Sequence, residues 1–559
     1  MVSSSVHSPS EPAPAAPLLP PPAAITPLNI SALTSELQNH PSAPFRQYLL
    51  SGFQYGFRVG FNLSRIARLQ SASRNMQSAL QNSQVVDAYL SREVQLGRVA
   101  GPFSVPPLPT LHVSRFGVIP KRGRPGKWRL IVDLSHPAGQ SVNDGINGDD
   151  FPLSFARVDD AIDFIMREGG GTLLAKIDIR DAYRLVPVHP EDRYLLGMAW
   201  KSHFFVDLAL PFGLRSAPFI FNQFAEGWHW ILQHNHGVRF LLHYLDDFLT
   251  GGAPSPDECL RNLRVMQSVA AHLGIPLAAE KIEGPSTTLS FLGIVLDTAL
   301  LQARLPEEKV SALQNLLCSW SSKRVCLRRD LESLLGHLHH AAKVVYPGRP
   351  FLRRLTDLLR GTRSQSRFIR LNRDARSDLL WWSSFLRDWN GVSLFTSSHW
   401  SCLSDLQVSS DASGTTGFGA YLNGRWFQGR WLPPQLSASI AFKELYPIVI
   451  AAHVWGPNWR GLRVRFMCDN QGVADRINKR FCSDRALGGL LRSLFLAAAR
   501  HSFWVSASHV PGRFNGIADA LSRFQLQRFR ILAPSASLEP TPIPAQLLEH
   551  LNSLTSDSE

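Results

Sequence analysis

Two adjacent aspartates between two apolar runs constrain this chain more than any other feature. Asp246 and Asp247 follow the run Arg239–His243 and precede the run Phe248–Gly252. Such runs predict two strands joined by a tight turn, so the two carboxylates are expected at the tip of a β-hairpin. Like charges repel at that range, and divalent cations are the usual means of holding them together. The pattern therefore predicts a hairpin that binds metal ions.

The positive net charge of the chain limits the classes of molecule that it is expected to bind. Its 559 residues, enough for several domains, include 58 Lys and Arg against 44 Asp and Glu, a net charge of +14. This suits nucleic acid, although it would also suit an acidic membrane surface. No apolar run is long enough to cross a bilayer and no secretory signal is recognisable, so we expect no membrane partner and an intracellular location, cytoplasmic or nuclear. The six scattered cysteines predict reduced, mostly buried thiols.

A third carboxylate is expected from a strand upstream of the hairpin. The apolar run Leu173–Ile177 ends at Asp178, and a turn carrying Asp181 follows. If this strand lies beside the hairpin, Asp178 completes a set of three carboxylates that can hold the two ions of a phosphoryl-transfer site. Tyr183 puts a bulky ring just past Asp178, where it could exclude a ribose 2′-hydroxyl. Farther along, Gly213 permits close approach of the backbone to a ligand.

This ordered set resembles the reverse transcriptase family, in particular the enzymes of DIRS-like and gypsy-like retroelements. The resemblance implies a right-hand polymerase with fingers, palm and helical thumb. It also implies that Asp178, Asp246 and Asp247 bind two ions of Mg²⁺ or Mn²⁺. Substrate-binding roles are implied for Lys121, Arg129, Asp181, Ala182, Tyr183, Phe212, Gly213 and Lys281.

The family assigns different parts of the substrate to these residues. By resemblance, Asp181 and Ala182 contact the incoming triphosphate, and Tyr183 selects deoxynucleotides. Phe212 lies beneath the incoming sugar. Arg129 packs on the base and triphosphate with help from Lys121, while Lys281 approaches the pyrophosphate. Taken singly, Tyr183 or Phe212 would more often be a core residue, and the basic stretch from Lys121 could be only a solvated turn.

A second set of acidic residues lies nearer the C-terminus. The predicted elements run strand, strand, strand, helix, strand, helix, helix, strand, helix, with acidic residues at the ends of different elements. They are Asp411, Glu444, Asp469 and Asp519. This dispersal is expected where carboxylates converge on a pair of metal ions in an α/β layer fold. Pro447 predicts that the helix of Glu444 begins near residue 443 or is kinked.

This second region resembles the ribonuclease H fold. The run from His509 through Asn515 to Arg523 is especially similar to that of retroelement enzymes. The resemblance implies that the four carboxylates bind two metal ions and that His509 assists proton transfer or product departure. The alternative for a single residue such as Asp519 is that it is only a surface charge.

The expected fold class is therefore α+β multidomain: a right-hand polymerase followed by a ribonuclease H-like α/β domain. The expected divisions are a disordered Pro/Ala/Ser-rich tail at 1–45, a helical lead-in at 46–104, fingers and palm at 105–300, a helical thumb and connection at 301–400, a ribonuclease H-like domain at 403–527 and a flexible tail at 528–559.

The expected function is an RNA-directed DNA polymerase with ribonuclease H activity. Its partners would be an RNA template, a DNA primer, an RNA–DNA hybrid and deoxynucleoside triphosphates. Because no aspartic-protease D-[ST]-G motif and no zinc knuckle occur in the sequence, a DIRS-like element is favoured over a gypsy-like or pararetroviral one. Two alternatives remain open: a domesticated or decayed retroelement protein that binds nucleic acid without catalysis, and a polymerase whose nuclease domain only clamps the hybrid. The sequence does not predict the oligomeric state.

Overall fold

The computed structural model describes residues 26–72, 74–120, 126, 128–360, 367–388, 392–394, 406–480, 482, 484–501 and 503–556. Lys121, expected to assist Arg129, lies outside the described residues. The chain forms two compact units. The first joins the residues up to Phe164 with Gly171–Leu289, and the second joins Ile165–Gly170 with the chain from Ser290 onward. Within the described ranges, no helix combines the length and the apolar character needed to cross a bilayer.

The first unit contains seven helices and nine strands among its described residues. The helices are α1 Ile30–Glu36, α2 Ala43–Tyr55, α3 Gln77–Gln81, α4 Ser83–Gln95, α5 Val158–Glu168 (whose last turn belongs to the second unit), α6 Ala217–His234 and α7 Pro256–Leu273. The strands are β1 Val99–Phe103, β2 Arg115–Pro120, β3 Trp128–Asp133, β4 Leu173–Asp178, β5 Gly197–Trp200, β6 His203–Asp207, β7 Leu241–Tyr244, β8 Asp247–Gly252 and β9 Glu283–Ser286.

An antiparallel sheet with the order β7-β8-β4-β9 forms the centre of this unit. Its inner face carries Ile177 and Phe248, which are fully buried in the main hydrophobic core. Helix α6 packs there through a nearly continuous apolar surface, and a proline in its first turn costs no helical hydrogen bond. Helix α7 ends at Gly274, whose φ of +73° and the 2.2 Å between an added Cβ and the Pro27 carbonyl oxygen exclude a side chain. The chain that follows α7 is tied to the end of β4, because the Ala278 amide donates a hydrogen bond of 2.9 Å to the Asp178 carbonyl.

The second unit begins with short strands and helices and ends with a larger α/β layer. The first part contains β10 Thr288–Phe291 (which starts at the end of the first unit), β11 Ile294–Asp297, β12 Gln302–Arg304, α8 Glu307–Trp320, β13 Val325–Leu327, α9 Arg328–Ala341, α10 Arg353–Asp357, β14 Phe368–Arg370, α11 Arg373–Asp388 and β15 Val392–Leu394. The second part contains β16 Leu406–Ala412, β17 Gly417–Leu422, β18 Arg425–Arg430, α12 Pro433–Leu436, α13 Ile440–Val454, β19 Arg463–Cys468, α14 Gln471–Lys479, α15 Arg485–His501, β20 Trp504–His509, α16 Gly516–Ser522, α17 Leu526–Leu532 and α18 Ala545–Ser556.

The α/β layer is built on a five-stranded sheet with the order β18-β17-β16-β19-β20. The first three strands pair antiparallel, whereas β16, β19 and β20 run parallel. Helices α13 and α15 bury their apolar residues in the core of this layer. Because parallel strands end at the same edge of a sheet, the residues that close β16, β19 and β20 are brought together. The expected α+β multidomain fold is confirmed.

The described parts of both terminal segments, residues 26–45 and 528–556, contain helices where loose tails were predicted. Residues 26–45 include α1 and the start of α2, and Leu33 and Leu37 are buried in the core of the first unit. Residues 528–556 include most of α17 and all of α18, and Phe529 and Leu551 are fully buried. The predicted disorder of 1–45 and flexibility of 528–559 are therefore wrong for the described parts. Short apolar helices can be stable despite a polar, proline-rich composition when they dock on an existing core.

Four smaller expectations also change. Helix α13 begins at Ile440, capped by Ser439, rather than near residue 443, and it continues through Pro447. Tight packing of this helix in the core offsets the hydrogen bond that proline cannot donate. The expected helical lead-in at 46–104 also contains β1, and the expected boundary at residue 300 falls instead at Ser290. The region 301–400 contains short strands beside its helices.

Candidate active sites

The first candidate site is a group of three aspartates in the first unit. Strands β4 and β8 pair so that Asp178 lies directly opposite Asp247, and β7 pairs with β8 up to Tyr244 and Asp247. The two residues between these strands, Leu245 and Asp246, form the turn of the hairpin. A backbone hydrogen bond of 2.9 Å from the Ile179 amide to the Asp246 carbonyl ties the turn to the end of β4. The sheet register and the hairpin turn thus bring the three aspartates to the same end of the sheet.

The backbone is strained on both sides of this group. Leu245 has a φ of +54° and Asp181 a φ of +59°, in the left-handed region that costs a non-glycine residue free energy. At Leu245 this conformation permits a turn of only two residues between the paired strands. Strained residues of this kind persist where the surrounding structure determines the geometry, and they cluster at functional sites.

Ionisation of Asp246 and Asp247 is unfavourable in the structure. Burial raises the pKa of Asp247 to about 6, with Asp178 and Asp246 adding to the effect and Lys176 opposing it. The pKa of Asp246 is also raised, first by burial and then by the charge of Asp178. The Lys281 ammonium group lies 2.7 Å from a carboxylate oxygen of Asp178. Half-buried oxygen ligands that repel one another and already attract a cation fit the hard ions Mg²⁺ and Mn²⁺.

A cleft of about 320 Å³ opens beside these aspartates. Most of the substrate-binding residues expected from the sequence line it. They are Arg129, Asp181, Ala182, Phe212 and Lys281, together with Asp178 and Asp246. The Arg129 guanidinium group lies 5.8 Å from the centre of the Phe212 ring. The ring of Tyr183 packs on Phe212 at a centroid distance of 5.1 Å, so the proposed gate and the proposed sugar platform are in contact.

The backbone of Gly213 was expected to lie close to a ligand, but its close neighbour in the structure is strand β3. Gly213 has a φ of +97°, and a Cβ there would lie 2.8 Å from the carbonyl oxygen of Val132 on β3. The carbonyl of Gly213 also accepts a hydrogen bond from the Asn143 side chain at 2.8 Å. The close approach that this glycine permits is therefore to a neighbouring strand, and Gly213 is not among the residues that line the cleft.

Sequence reasoning missed a set of arginines at the cleft, two of which, Arg92 and Arg184, line it. Asp181 forms ion pairs with Arg98 at 2.8 Å and with Arg92 at 3.5 Å. Arg184 is fully buried between Glu93 at 2.9 Å and Asp207 at 2.7 Å. Helix α4 and the segment after it therefore supply positively charged arginine side chains to this site. The motifs by which the sequence predicted the site lie farther along the chain. The sequence offered only a mildly basic, helical pattern here, because each partner is distant along the chain.

The second candidate site lies in the second unit, at the edge where the parallel strands end. Asp411 lies near the end of β16, Asp469 directly follows β19, and His509 ends β20. Helix α13 supplies Glu444, and α16 supplies Asp519. The five residues predicted for this site thus come from five different elements.

Burial and mutual repulsion raise the pKa values of three of these carboxylates. The pKa of Glu444 rises to about 9 through burial and the charges of Asp411 and Asp469. That of Asp411 rises to about 6, mainly through burial, although the Ser522 hydroxyl donates a hydrogen bond of 2.5 Å to it. The pKa of Asp469 is also raised by burial, and the charge of His509 opposes the rise. A divalent cation would relieve this repulsion, so the donor set fits such an ion.

Asp519 is in a different situation. Burial alone would raise its pKa, but hydrogen bonds of 2.6 Å from Arg523 and from Arg528 lower it below the usual value. Within the described ranges, the tight group of potential ligand atoms consists of Glu444, Cys468 and Asp469, all within 4.8 Å of one another. Cys468 was not predicted as a site residue. Asp411 and Asp519 lie near this group without belonging to it.

Residues 119–296 match the family model described as reverse transcriptase (RNA-dependent DNA polymerase). The Gag-Pro-Pol polyprotein of Mason-Pfizer monkey virus is 22% identical over 263 residues, which are 45% of this chain and 13% of the polyprotein. The retrovirus-related Pol polyprotein from transposon opus of Drosophila melanogaster is 22% identical over 251 residues, 44% of this chain and 23% of that protein. The matches thus cover less than a quarter of either relative.

One solved structure that is similar to this chain is the foamy viral protease-reverse transcriptase in complex with double-stranded DNA. It is 15% identical, with a TM-score of 0.48 over 90% of this chain and 84% of that chain. This likeness is too distant to bear on function. The family match over residues 119–296 includes all three aspartates of the first site. The chain therefore carries a reverse transcriptase domain and is related to the Pol polyproteins of retroviruses and retrotransposons.

Proposed function

We propose that this chain is the polymerase and ribonuclease H of a retroelement. It would copy retrotransposon RNA into DNA and degrade the RNA strand of the resulting hybrid. The observation that carries the proposal is the register of β4 and β8, in which Asp178 faces Asp247 with Asp246 in the adjacent turn, inside a reverse transcriptase domain. The proposed lineage is a DIRS-like element, related to gypsy-like elements, and the order of the polymerase and ribonuclease H motifs along the chain supports it.

The carboxylates of both centres would hold divalent cations. Asp178, Asp246 and Asp247 would bind Mg²⁺ or Mn²⁺ in the first centre, and Glu444 and Asp469, with Asp411 and Asp519 nearby, in the second. Such ions, when bound, lower the pKa of an attacking hydroxyl or water and stabilise negative charge on the phosphate. The proposal of two ions per centre is supported by the number of carboxylates and by their mutual repulsion.

The protein itself positions the reactants in the polymerase centre. Arg129 and Lys281, whose side chains line the cleft, carry positive charge suited to a triphosphate. Phe212 and Tyr183 form an aromatic surface on which a deoxyribose could rest, and a 2′-hydroxyl would meet the Tyr183 ring. Holding the triphosphate and the primer end in a fixed relation converts a bimolecular step into one within a complex.

In the nuclease centre, the scissile phosphate of the RNA would lie against the edge formed by β16, β19 and β20. Asn515 donates a hydrogen bond of 2.9 Å to the Ser410 carbonyl, which fixes the start of α16 next to Asp411. His509 ends β20 beside Asp469 and could move a proton to or from the leaving group. RNA template, DNA primer, hybrid and deoxynucleoside triphosphates are the partners that this chemistry requires. Cytoplasm or nucleus remains the proposed location.

Two carboxamide variants test the proposal. With Mg²⁺ present, the wild type should extend a DNA primer on an RNA template and should cut RNA in an RNA–DNA hybrid. Asp246→Asn should abolish extension and leave cutting intact, because only the first centre loses a ligand. Asp469→Asn should abolish cutting and leave extension intact. Primer-extension and hybrid-cleavage assays on the same preparations measure both.

Matched controls separate these effects from a general effect of losing an aspartate. Asp257→Asn and Asp475→Asn alter exposed aspartates in helices of the first and second unit, respectively, and should retain both activities. A wild type without template-dependent synthesis would favour a decayed retroelement protein that only binds nucleic acid. A wild type that extends primers without cutting would favour a nuclease domain that only clamps the hybrid. Loss of both activities in Asp246→Asn, or in Asp469→Asn, would contradict the proposal of two separate centres.

A further inference from the structure

The nuclease centre contains a thiol that hard-cation chemistry does not call for. Cys468 is the last residue of β19 and immediately precedes Asp469. Its side chain is fully buried, and the Sγ–H group points to a carboxylate oxygen of Glu444 at 3.9 Å. Mg²⁺ and Mn²⁺ prefer oxygen ligands, whereas a thiolate selects softer ions such as Zn²⁺ and Cd²⁺.

The spacing of the donor atoms suits one such ion. One ligand atom from each of Glu444, Cys468 and Asp469 lies within 4.8 Å of the other two. With zinc–sulfur and zinc–oxygen bonds of about 2.3 and 2.1 Å at a tetrahedral angle, sulfur and oxygen on one ion would be about 3.6 Å apart. The 3.9 Å between Cys468 Sγ and Glu444 Oε2 needs only a small movement to meet that value.

The thiol is also held in place. The Asn470 backbone amide donates a hydrogen bond of 3.4 Å to Cys468 Sγ, so the sulfur already accepts a hydrogen on one side. Asp469 is only partly buried, which leaves a route from solvent to the donor group through the carboxylates. In the parallel register of β19 and β20, Cys468 pairs with His509, which puts a residue type common in zinc sites at the same edge.

We propose that Cys468, Glu444 and Asp469 form a site for a thiophilic divalent cation, Zn²⁺ or Cd²⁺, which blocks the nuclease by occupying carboxylates that Mg²⁺ needs. The thiol proton and the proton of the Glu444 carboxyl group pass to solvent as the metal–sulfur and metal–oxygen bonds form. The blocking of the nuclease rests on the proposed function, whereas the binding of the ion does not. The two parts are therefore tested by different measurements.

Binding is tested by Cd²⁺ titration of the full-length chain, followed through the ultraviolet charge-transfer absorption of a cadmium–thiolate bond. The background variant has Cys318, Cys402 and Cys482 changed to Ser, because Cys318 is exposed, Cys482 is partly exposed and Cys402 lies outside the described residues. This variant should show a band that saturates at one ion per chain. Adding Cys468→Ala should remove the band, and adding Glu444→Gln should weaken Cd²⁺ binding.

Absence of the band from the background variant, or its persistence after Cys468→Ala, would overturn the site. Cys468→Ser, nearly the same size, is a second variant that preserves packing, and its melting temperature identifies any loss of folding. It too should lack the band, because an alcohol is a poor ligand for Cd²⁺. A band that persists after Cys468→Ala would place the ion at the buried Cys259 or Cys326. A band unaffected by Glu444→Gln would show that Glu444 is not a ligand, and would also overturn the site.

Blocking is tested by the rate of hybrid cleavage in Mg²⁺ as Zn²⁺ is added, each variant being compared with its own zinc-free rate. The zinc concentration that halves the rate should rise by about tenfold or more in Cys468→Ala, since even groups that only support metal ligands contribute about 10–100-fold to affinity. Equal inhibition in both proteins would overturn the blocking role. A wild type that never cuts RNA would overturn the nuclease and, with it, the blocking role, while the cadmium band still decides the metal site.

Discussion

Carboxylates at both candidate centres occupy positions where ionisation is costly. Asp247 in the first unit and Asp411 and Glu444 in the second all have raised pKa values because of burial and neighbouring negative charge. Each such group binds a proton more tightly in the folded chain than in the unfolded chain. At the residue scale, therefore, the features that suit these groups to metal ions also make the metal-free protein sensitive to pH.

Glu444 should dominate this sensitivity. Its pKa is about 9 in the folded chain, against 4.5 for an ordinary glutamate, so its contribution to stability is complete below pH 4.5 and is lost as the pH rises toward 9. In the presence of EDTA, the melting temperature of the wild type should fall over this range. Glu444→Gln should show a shallower fall, because its amide does not ionise.

Differential scanning calorimetry at several pH values measures the effect. Glu549→Gln, at an exposed position in α18, is the matched control and should retain the wild-type pH dependence. The same slope in Glu444→Gln and in the wild type would contradict the proposed cost of ionising Glu444. Adding Mg²⁺ to the wild type should reduce the fall, because the cation favours the ionised carboxylate.

At the scale of elements, the helices at the ends of the described chain belong to the cores. Helix α18 buries Leu551 in the core of the α/β layer, and Asn552 accepts hydrogen bonds from Gln435 at 2.6 Å and from the Tyr446 hydroxyl at 3.0 Å. This helix therefore supports α13, the helix that carries Glu444. Its composition alone predicted a flexible tail.

Removing the buried side chain of α18 should destabilise the second unit. Leu551→Ala should reduce the free energy of unfolding by about 2–5 kcal/mol, the usual cost of truncating a buried leucine. Ile531→Ala is the control, because Ile531 is 80% exposed and its loss should change stability by no more than about 0.5 kcal/mol. Urea denaturation followed by tryptophan fluorescence compares the variants. Equal stability of Leu551→Ala and the wild type would indicate that α18 does not contribute to the core.

At the scale of the whole molecule, a net charge of +14 accompanies two separate carboxylate centres. Seven of the 44 Asp and Glu belong to the proposed metal centres, and Lys and Arg outnumber all acidic residues by 14, an excess that can contact the phosphate backbone. Binding through the backbone reads the shape of a duplex rather than its sequence. The enzyme proposed above, which would copy and degrade an entire transcript, requires this kind of affinity.

Affinity for an RNA–DNA hybrid should therefore fall steeply with salt. For B-form DNA, each neutralised phosphate contributes about −0.9 to the slope of log affinity against log salt concentration. We therefore expect the affinity for the hybrid to fall by more than about tenfold when the salt concentration rises from about 50 to about 200 mM. Fluorescence anisotropy of a labelled hybrid measures it, and an unrelated hybrid of equal length should give the same slope. A salt-independent affinity would contradict backbone binding.

Sequence patterns located the ends of the strands that carry the candidate site residues, since the apolar runs before Asp178 and Asp469 and around Asp246 are local features. These patterns also gave the order of elements in the α/β layer, because each element is encoded by its own periodicity. Tertiary structure alone decided which side chains meet. Arg98 reaches Asp181 across 83 residues, and Cys468 meets Glu444 across 24. Such contacts depend on the path of the whole chain through the core, and no local pattern encodes that path.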